Sequence, residues 1–362
     1  MYEMPFTAPR AVAEIDTDAI AHNFRVLHHA CGGRPIAVVK ADAYGHSLSL
    51  AVPALLAAGC DFFAVATCEE GIAVRALAPT ADVLVLGYLP LSQLKEAVAA
   101  HLILTVFSAE HARALSHAAK ALALTPRVHL KIDTGMHRLG LLCEKNDIRS
   151  LFFLPNLQIC GIFTHFSTAD TDPTATRQAL AKFCALRREL PAPLFAHAAA
   201  SAAALTLPEA HLDATRQGIA LYGYPPVKTA LSFRPAMRVI APVVQIKELA
   251  AGERVGYSGA FVATRRTRIG TVPLGYADGI SRTLTGFSPT VLCDGVRYRA
   301  PIVGRVCMDY LMLDLTAIPA KSGQTVCVFE NFDAAARHAG TIPYELLTAI
   351  SARVPRAGRG EL

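Results

Sequence analysis

The stretch AVVKADAYGHS, residues 37–47, places a lysine between a short apolar run and a group of turn-forming residues. The run that ends just before Lys40 has the length and composition of a buried strand. Similar β-rich runs alternate with helix-like segments eight times before about residue 230. Eight such units predict a (β/α)8 barrel with Lys40 at the mouth of its first strand, and a doubly wound parallel sheet is the alternative.

The chain divides into two regions of different pattern. The predicted barrel strands are residues 36–39, 62–67, 83–88, 102–107, 128–132, 157–166, 194–198 and 212–222, with helices at 69–77, 91–100, 109–124 and 173–190. After residue 233, strand-like runs at 238–249, 268–272, 290–296, 303–314 and 325–329 are separated by Gly, Pro and Asp. We therefore predict a barrel domain over 12–233 and a β-rich domain over 234–362, which a strand within residues 1–16 joins.

Composition narrows the class of protein. The chain of 362 residues is 52% hydrophobic and 18% charged, without repeats or long charge runs, as in a compact globular protein. Its net charge of +6 comes from scattered basic residues, which argues against nucleic-acid binding. The apolar stretch 191–208 is alanine-rich, bounded by prolines and interrupted by His197, so we expect no membrane span. Nine cysteines without a C-x-x-C pair indicate reduced thiols of a cytoplasmic protein, with neither disulfides nor bound metal.

Polar side chains follow the predicted barrel strands at their carboxyl ends, where barrel enzymes carry their chemistry. A lysine there can form a Schiff base with an aldehyde cofactor, and a hydroxyl with backbone N–H groups after the last two strands can hold its phosphate. Together these features favour pyridoxal phosphate, although Lys40 taken alone is also compatible with an ordinary lysine at a strand end. The residues in this group are Lys40, Lys131, Asp133, Arg138, His165, Ser201, Arg216, Gly218 and Ile219.

Seven motifs resemble those of the alanine racemases, in the family's order and over nearly the whole chain. The resemblance implies a pyridoxal 5'-phosphate enzyme of fold-type III that interconverts L- and D-alanine for cell-wall peptidoglycan. It also implies a barrel, a C-terminal β domain and a head-to-tail homodimer. The motifs are AVVKADAYGHS (37–47), KIDTGMHRLG (131–140), THFSTAD (164–170), RQGIALYG (216–223), VGYSGAF (255–261), TVPLGYADG (271–279) and GRVCMDYLMLDL (304–315).

The same resemblance assigns roles to individual residues. Lys40 would bind the cofactor covalently and act as one base, and Tyr257 of the partner subunit would act as the other, because racemisation needs proton transfer on both faces of Cα. Lys131 is carbamylated in many relatives, and an ordinary solvated lysine is the alternative. By resemblance, Arg216 faces the pyridine nitrogen and His165 lies near the ring. The phosphate is bound by Tyr44, Ser201 and the backbone of Gly218 and Ile219. The substrate carboxylate is bound by Arg138 and the backbone of Met308, and the entrance is lined by Tyr276 and Asp309.

The chain departs from the family pattern near its C-terminus. A tyrosine usually precedes RVPR, but the stretch here is ISARVPR, with Ala352 at that place. The smaller side chain removes a phosphate donor and predicts a larger pocket, hence acceptance of serine or a broader range of amino acids. Smaller departures are Ala200, Gln217 and His137.

Three other functions fit parts of the pattern. Decarboxylases share the barrel-plus-β architecture, but they usually have an acidic residue and a cysteine at the places of Arg216 and Tyr257. Pyridoxal phosphate carrier proteins bind cofactor without clear turnover, but they consist of a barrel alone. A barrel enzyme without pyridoxal phosphate is the third alternative.

Overall fold

The computed structural model describes residues 10–360. Within them the chain forms two compact units. One comprises residues 18–43 and 47–234, and the other comprises the residues up to 17, residues 44–46 and those from 235 on. The first strand, β1 (Val12–Ile15), belongs to the second unit.

The first unit is built around eight parallel strands. In space they follow the order β4-β3-β2-β9-β8-β7-β6-β5, and backbone bonds from Ile103 N to Val83 O (2.8 Å) and from Val85 N to Ile103 O (2.9 Å) join the two ends. The predicted (β/α)8 barrel is confirmed, and the doubly wound alternative is wrong. The strands are β2 (Arg34–Val38), β3 (Phe62–Val65), β4 (Asp82–Val85), β5 (Leu104–Val106), β6 (Arg127–Lys131), β7 (Gln158–Phe163), β8 (Phe195–Ala200) and β9 (Ala214–Gln217).

One helix precedes β2 and one follows each strand from β2 to β8, and side chains cap the starts of several of them. Thr67 caps one with a capping box, Ser108 accepts from the N–H of His111, and Asp172 caps a helix that begins with Pro173. The helices are α1 (Thr17–Ala30), α2 (Leu48–Ala57), α3 (Cys68–Leu77), α4 (Leu94–Ala99), α5 (Ala109–Ala121), α6 (Lys145–Leu151), α7 (Pro173–Arg188) and α8 (Ser201–Thr206). Of the helices between residues 10 and 360, none combines the length and the apolar character needed to cross a bilayer.

Aromatic rings and neutral histidines fill part of the barrel interior. The rings of Phe163 and His197 stack with centroids 4.8 Å apart, and His197 lies 5.2 Å from the ring of His129. Gly161 makes room for that ring, since a Cβ there would lie 2.3 Å from His129 Nε2. Histidines therefore reach from the middle of the barrel towards the strand ends.

The second unit is mainly β, as predicted. Its sheets have the orders β16-β15-β18-β10-β1-β19, β11-β14-β17 and β12-β13, and β1 pairs antiparallel with β10 and parallel with β19. Two helices, α9 (Phe332–Ala339) and α10 (Pro343–Ala349), complete it. The strands are β10 (Met237–Pro242), β11 (Gln245–Leu249), β12 (Arg254–Val255), β13 (Phe261–Val262), β14 (Thr267–Val272), β15 (Thr290–Cys293), β16 (Val296–Arg299), β17 (Leu311–Asp314), β18 (Thr325–Phe329) and β19 (Arg356–Gly358).

Three predicted runs of this unit differ from the structure. The run 238–249 is two strands in different sheets, because the chain changes sheets after Pro242, which cannot donate a ladder bond. The run 290–296 turns back at Asp294-Gly295, where both residues have positive φ, and forms a hairpin. Of the run 303–314, only Leu311–Asp314 is a strand.

Candidate active site at the barrel mouth

Lys40 stands at the carboxyl end of β2 and begins a left-handed turn. The four residues after it, Ala41 to Tyr44, have φ between +51° and +55°. Left-handed backbone costs an L-residue roughly 1–2 kcal/mol, so the surroundings must hold this turn. Its first part is anchored by bonds from Ala43 N to Val39 O (2.8 Å), from Ser47 N to Asp42 O (3.0 Å) and from Leu48 N to Asp42 Oδ1 (2.7 Å). The turn fixes the point at which the lysine leaves the strand.

Four cationic side chains act on one another at this mouth. Burial lowers the pKa of Lys40, Arg138 lowers it further, and Glu70 opposes both. Burial, together with Arg138, Arg216 and Lys40, lowers the pKa of Lys131 to about 8. Among the described residues, no carboxylate lies within 4 Å of Lys131 Nζ. The region is therefore strongly positive and suited to bind anions.

Arg216 is a buried guanidinium at the end of β9, 3% exposed. Nη1 donates to the carbonyl of His197 (3.0 Å), and Nη2 donates to the carbonyls of Thr164 (2.7 Å) and Ala198 (2.7 Å). Burial and Arg138 lower its pKa to about 9, which leaves the group charged at neutral pH. No described residue accepts from its Nε–H, so this donor remains for a ligand.

Two histidines next to Arg216 are kept neutral. Nη2 lies 3.3 Å from His165 Nδ1, and burial, followed by Arg216, Arg138, Lys131 and Lys40, lowers the pKa of His165 to about 3. Nη1 donates to His197 Nδ1 (2.7 Å), so the proton of His197 is on Nε2, which donates to His129 Nδ1 (3.0 Å). His129 and His197 are not among the predicted site residues, although His197 interrupts the alanine-rich run 191–208.

A hydroxyl and backbone amides meet after the last two barrel strands. Ser201 is 4% exposed, and its Oγ accepts from the N–H of Gly218 (3.2 Å) and, at longer range, of Ala220 (3.5 Å). The structure thus brings Ser201 next to the segment of Gly218 and Ile219. Ala220 was not anticipated, because its contribution is a main-chain N–H that has no sequence signature.

The loop after β6 carries Arg138. Asp133 Oδ1 accepts from the N–H groups of Gly135 (2.9 Å), Met136 (3.0 Å) and His137 (3.1 Å). Burial opposes ionisation of Asp133, but these bonds and the His137 ring outweigh it and lower its pKa. His137 has φ +54°, and its ring lies 3.4 Å from Asp133 Oδ2. A shallow recess is lined by Lys131, Arg138, His165 and neighbouring residues of this loop.

The remaining predicted site residues belong to the second unit. Tyr257 is 69% exposed in a tight turn beside Ser258, which has φ +60°. Tyr276 and Met308, also exposed, lie on two segments joined by bonds from Tyr276 N to Cys307 O (2.9 Å) and from Ala277 N to Met308 O (3.0 Å).

Asp309 and Tyr44 are held by partners in the same unit. Asp309 Oδ1 accepts from Arg353 Nη2 at 2.7 Å. Tyr44 is buried, and its ring centroid lies 6.2 Å from that of Tyr344. Burial raises the pKa of Tyr44. Tyr276, Met308 and Asp309 are thus brought together within this unit.

The chain is similar to known proteins over nearly its whole length. The sequence profile of the N-terminal domain of alanine racemase matches residues 15–226, and that of the C-terminal domain matches residues 236–358. Alanine racemase 1 of Clostridium acetobutylicum is 38% identical, covering 95% of this chain and 94% of its own length. The structure of biosynthetic alanine racemase from Pseudomonas aeruginosa is 38% identical with a TM-score of 0.85, covering 97% of this chain and 99% of its own. That of alanine racemase from Clostridium difficile 630 is 32% identical with a TM-score of 0.91, covering 99% and 98%.

Proposed function

This chain belongs to the alanine racemase family, whose members are enzymes, and we propose that it interconverts L- and D-alanine with pyridoxal 5'-phosphate in a homodimer with shared active sites. The observation that carries the proposal is the group of Lys40, Lys131, Arg138 and Arg216 at one barrel mouth, beside Ser201. These positive charges call for anionic ligands, namely a phosphate and an amino-acid carboxylate.

The donor set fits this cofactor. Lys40 has an amine whose pKa burial and Arg138 lower, which favours the nucleophilic neutral form. Ser201 and the amides of Gly218 and Ile219, with Tyr44, would hold the phosphate, and Arg216 has an unused N–H for the ring nitrogen. When bound, pyridoxal phosphate would supply an electron sink that weakens the Cα–H bond of an amino acid joined to it.

Two bases on opposite faces of Cα would complete the reaction. Lys40 takes or returns the proton on one face, and its lowered pKa supplies the neutral amine that this needs. Tyr257 of the partner subunit serves the other face. In support, the Tyr257 side chain is 69% exposed in its own chain, as expected of a residue that acts on a second copy.

Other residues would orient the reactants. Arg216 stays charged and donates only hydrogen bonds, so a ring nitrogen facing it would stay unprotonated. This would limit delocalisation of the Cα carbanion into the ring and so disfavour side reactions such as transamination. His165, neutral because of burial and its cationic neighbours, would pack near the ring. Arg138 and the N–H of Met308 would bind the substrate carboxylate, with Tyr276 and Asp309 at the entrance. The nine unpaired thiols favour a reducing, cytoplasmic location.

Subunit mixing tests the shared site. Lys40→Ala and Tyr257→Phe homodimers should each racemise alanine at least about a hundredfold more slowly than the unaltered protein. After exchange of subunits in an equal mixture, half of the dimers should carry one site with both bases, and about a quarter of the activity should return. Failure of the mixture to gain activity, with dimer exchange demonstrated by mass spectrometry, would refute shared sites.

Deuterium incorporation tests the reaction itself. In deuterated water, alanine should lose its Cα proton and its chirality together in the unaltered enzyme. In Tyr257→Phe, exchange without inversion should persist for one enantiomer only, because Lys40 still serves its face.

Borohydride reduction followed by peptide mapping should place the cofactor on Lys40, and cofactor on another lysine, or none, would contradict the proposal.

Ala352 supports a wider substrate range. It stands where the family usually has a tyrosine, and the lost side chain would leave room beside the substrate side chain. We therefore extend the proposal to serine and to other small amino acids. Ala352→Tyr should lower the kcat/KM for L-serine relative to that for L-alanine, and an unchanged ratio would remove this extension.

Lys131 is proposed to carry a carbamate. Its pKa of about 8 leaves part of the amine neutral at physiological pH, as attack on CO₂ requires. The amine would add to CO₂ with release of a proton, and the resulting anion would pair with Arg138. Intact-mass measurement in bicarbonate should show an adduct that is absent from Lys131→Met.

A further inference from the structure

Glu70 lies on α3, outside the residues assigned to the site so far. Its Oε1 accepts from the N–H of Ala41 at 2.7 Å, and its Oε2 accepts from the N–H groups of Ala66 (2.8 Å) and Thr67 (3.4 Å). Ala41 directly follows Lys40 and is the first left-handed residue of the turn. Ala66 and Thr67 form the corner after β3. One carboxylate therefore ties the lysine-bearing turn to the end of the neighbouring strand.

We propose that Glu70 is a positioning residue for Lys40, which fixes the amide after the lysine and keeps a negative charge beside the lysine amine. This proposal rests on the role of Lys40 in the proposed function. Glu70 itself touches neither reactant and acts only through the turn and through its charge.

The hydrogen-bond lengths argue against a helix cap alone. A capping box needs only that the glutamate at the third position accept from the N-cap N–H, here that of Thr67. That bond is the longest of the three, at 3.4 Å. The shortest goes to Ala41, which is 29 residues away in the sequence. The carboxylate is thus placed to hold the turn, and capping is its weaker contact.

The charges around Lys40 give Glu70 a second effect. Arg138, Lys131 and His165 approach Lys40 from the segments at the ends of β6 and β7. Burial and Arg138 lower the pKa of Lys40, and Glu70 is the group that raises it. Glu70 therefore keeps the lysine a stronger base than its cationic surroundings alone would allow, which matters for removing a weakly acidic Cα proton.

Two substitutions separate the two effects. Glu70→Gln retains an acceptor for Ala41 but removes the charge, whereas Glu70→Ala removes both. Glu69→Gln is the matched control, because Glu69 is the adjacent glutamate on α3, and its side chain bonds the side chain of Gln93 instead of the turn.

Both effects can be measured on the cofactor-free protein. Hydrogen exchange of Ala41 should be about tenfold faster in Glu70→Ala, as expected for the loss of one hydrogen bond, and close to the unaltered rate in Glu70→Gln. Competitive labelling of lysines across pH, read by peptide mass spectrometry, should show the Lys40 amine titrating at lower pH in both variants. Glu69→Gln should change neither quantity. In the cofactor-loaded enzyme, the limb of the pH profile that reports Lys40 should move to lower pH in both.

The outcomes discriminate clearly. If Lys40 titrates in both Glu70 variants as in Glu69→Gln, the proposal is overturned. It is equally overturned if Glu70→Ala speeds exchange along the whole of α3 without a specific effect on Ala41, because Glu70 is then only a cap. If borohydride fails to trap cofactor on Lys40, the proposed function fails, while the labelling and exchange results still decide what Glu70 does to the turn.

Discussion

Gln217 is a buried amide whose oxygen lacks a hydrogen-bond partner among the described residues. The side chain is fully buried, and its Nε2 makes a single long bond, 3.3 Å to Thr215 Oγ1. An unsatisfied buried acceptor costs roughly 1–3 kcal/mol, and a neutral hydrogen bond contributes about 0.5–1.5 kcal/mol. Methionine has a similar unbranched shape without the amide. Gln217→Met should therefore stabilise the barrel by roughly 1 kcal/mol.

Thermal unfolding followed by circular dichroism measures this gain. For a unit of this size, 1 kcal/mol corresponds to a rise in Tm of about 2–4 °C. Gln245→Met, at an exposed strand position, is the control and should leave Tm unchanged. The kcat/KM for alanine should stay within about twofold, since the Gly218 amide is untouched. A lower Tm in Gln217→Met would refute the reasoning, because it would mean that the amide oxygen is satisfied, for example by a buried water.

Three further predictions concern the barrel. Gly161→Ala should destabilise the barrel by about 1–3 kcal/mol, because the new methyl would lie 2.3 Å from His129. In denaturant unfolding, the double variant Gly161→Ala, His129→Ala should lose less stability than the two single variants lose together. Losses that simply add would contradict this contact. Lys131→Met should raise the free energy of unfolding of the cofactor-free, CO₂-free protein at pH 7. This gain should vanish as pH rises from 8 to about 10.5, where the lysine of the unfolded chain also loses its proton. A gain in stability that does not depend on pH would argue against the lowered pKa. Burial lowers the pKa values of His129 and His165 to about 3 and holds that of His197 well below its ordinary value. The free energy of unfolding should therefore be highest above pH 6.5 and fall as pH decreases towards 3, because the unfolded chain then binds more protons. In urea unfolding at several pH values, His129→Asn should flatten that slope by about 1.4 kcal/mol per pH unit.

Local patterns carried most of the barrel prediction. Runs such as 62–67 and 128–132 are short, β-rich and bounded by turn signals, and the structure has Phe62–Val65 and Arg127–Lys131 there. Two predicted strands extended too far, past Val85 and past Phe163. At both places a single backbone bond continues beyond the strand, from Leu86 N to Val65 O (2.8 Å) and from Thr164 N to His197 O (3.3 Å). The barrel could be inferred because eight repeats of one unit outweigh errors of a few residues in each.

Contacts over long separations could not be read from the sequence. The bond between Glu70 and Ala41 and the chain from Arg216 through His197 to His129 depend on which strands are neighbours. The left-handed turn was equally hidden, since alanine favours right-handed helix and tertiary contacts override that preference here. The structure therefore adds to the predicted residues a set of supporting groups that hold them.

The residue type at position 216 follows from the strand ends around it. Three carbonyl oxygens, of Thr164, His197 and Ala198, converge there, and each of them can only accept a hydrogen bond. A carboxylate would face these oxygens without donors, whereas a guanidinium satisfies all three and still has Nε–H free. His197 reinforces this choice, because its Nδ1 accepts from Arg216 while its Nε2 proton is used on His129. If the proposed cofactor binds here, its ring nitrogen would meet a donor that is charged at neutral pH. This arrangement would favour racemisation over reactions that need a protonated ring.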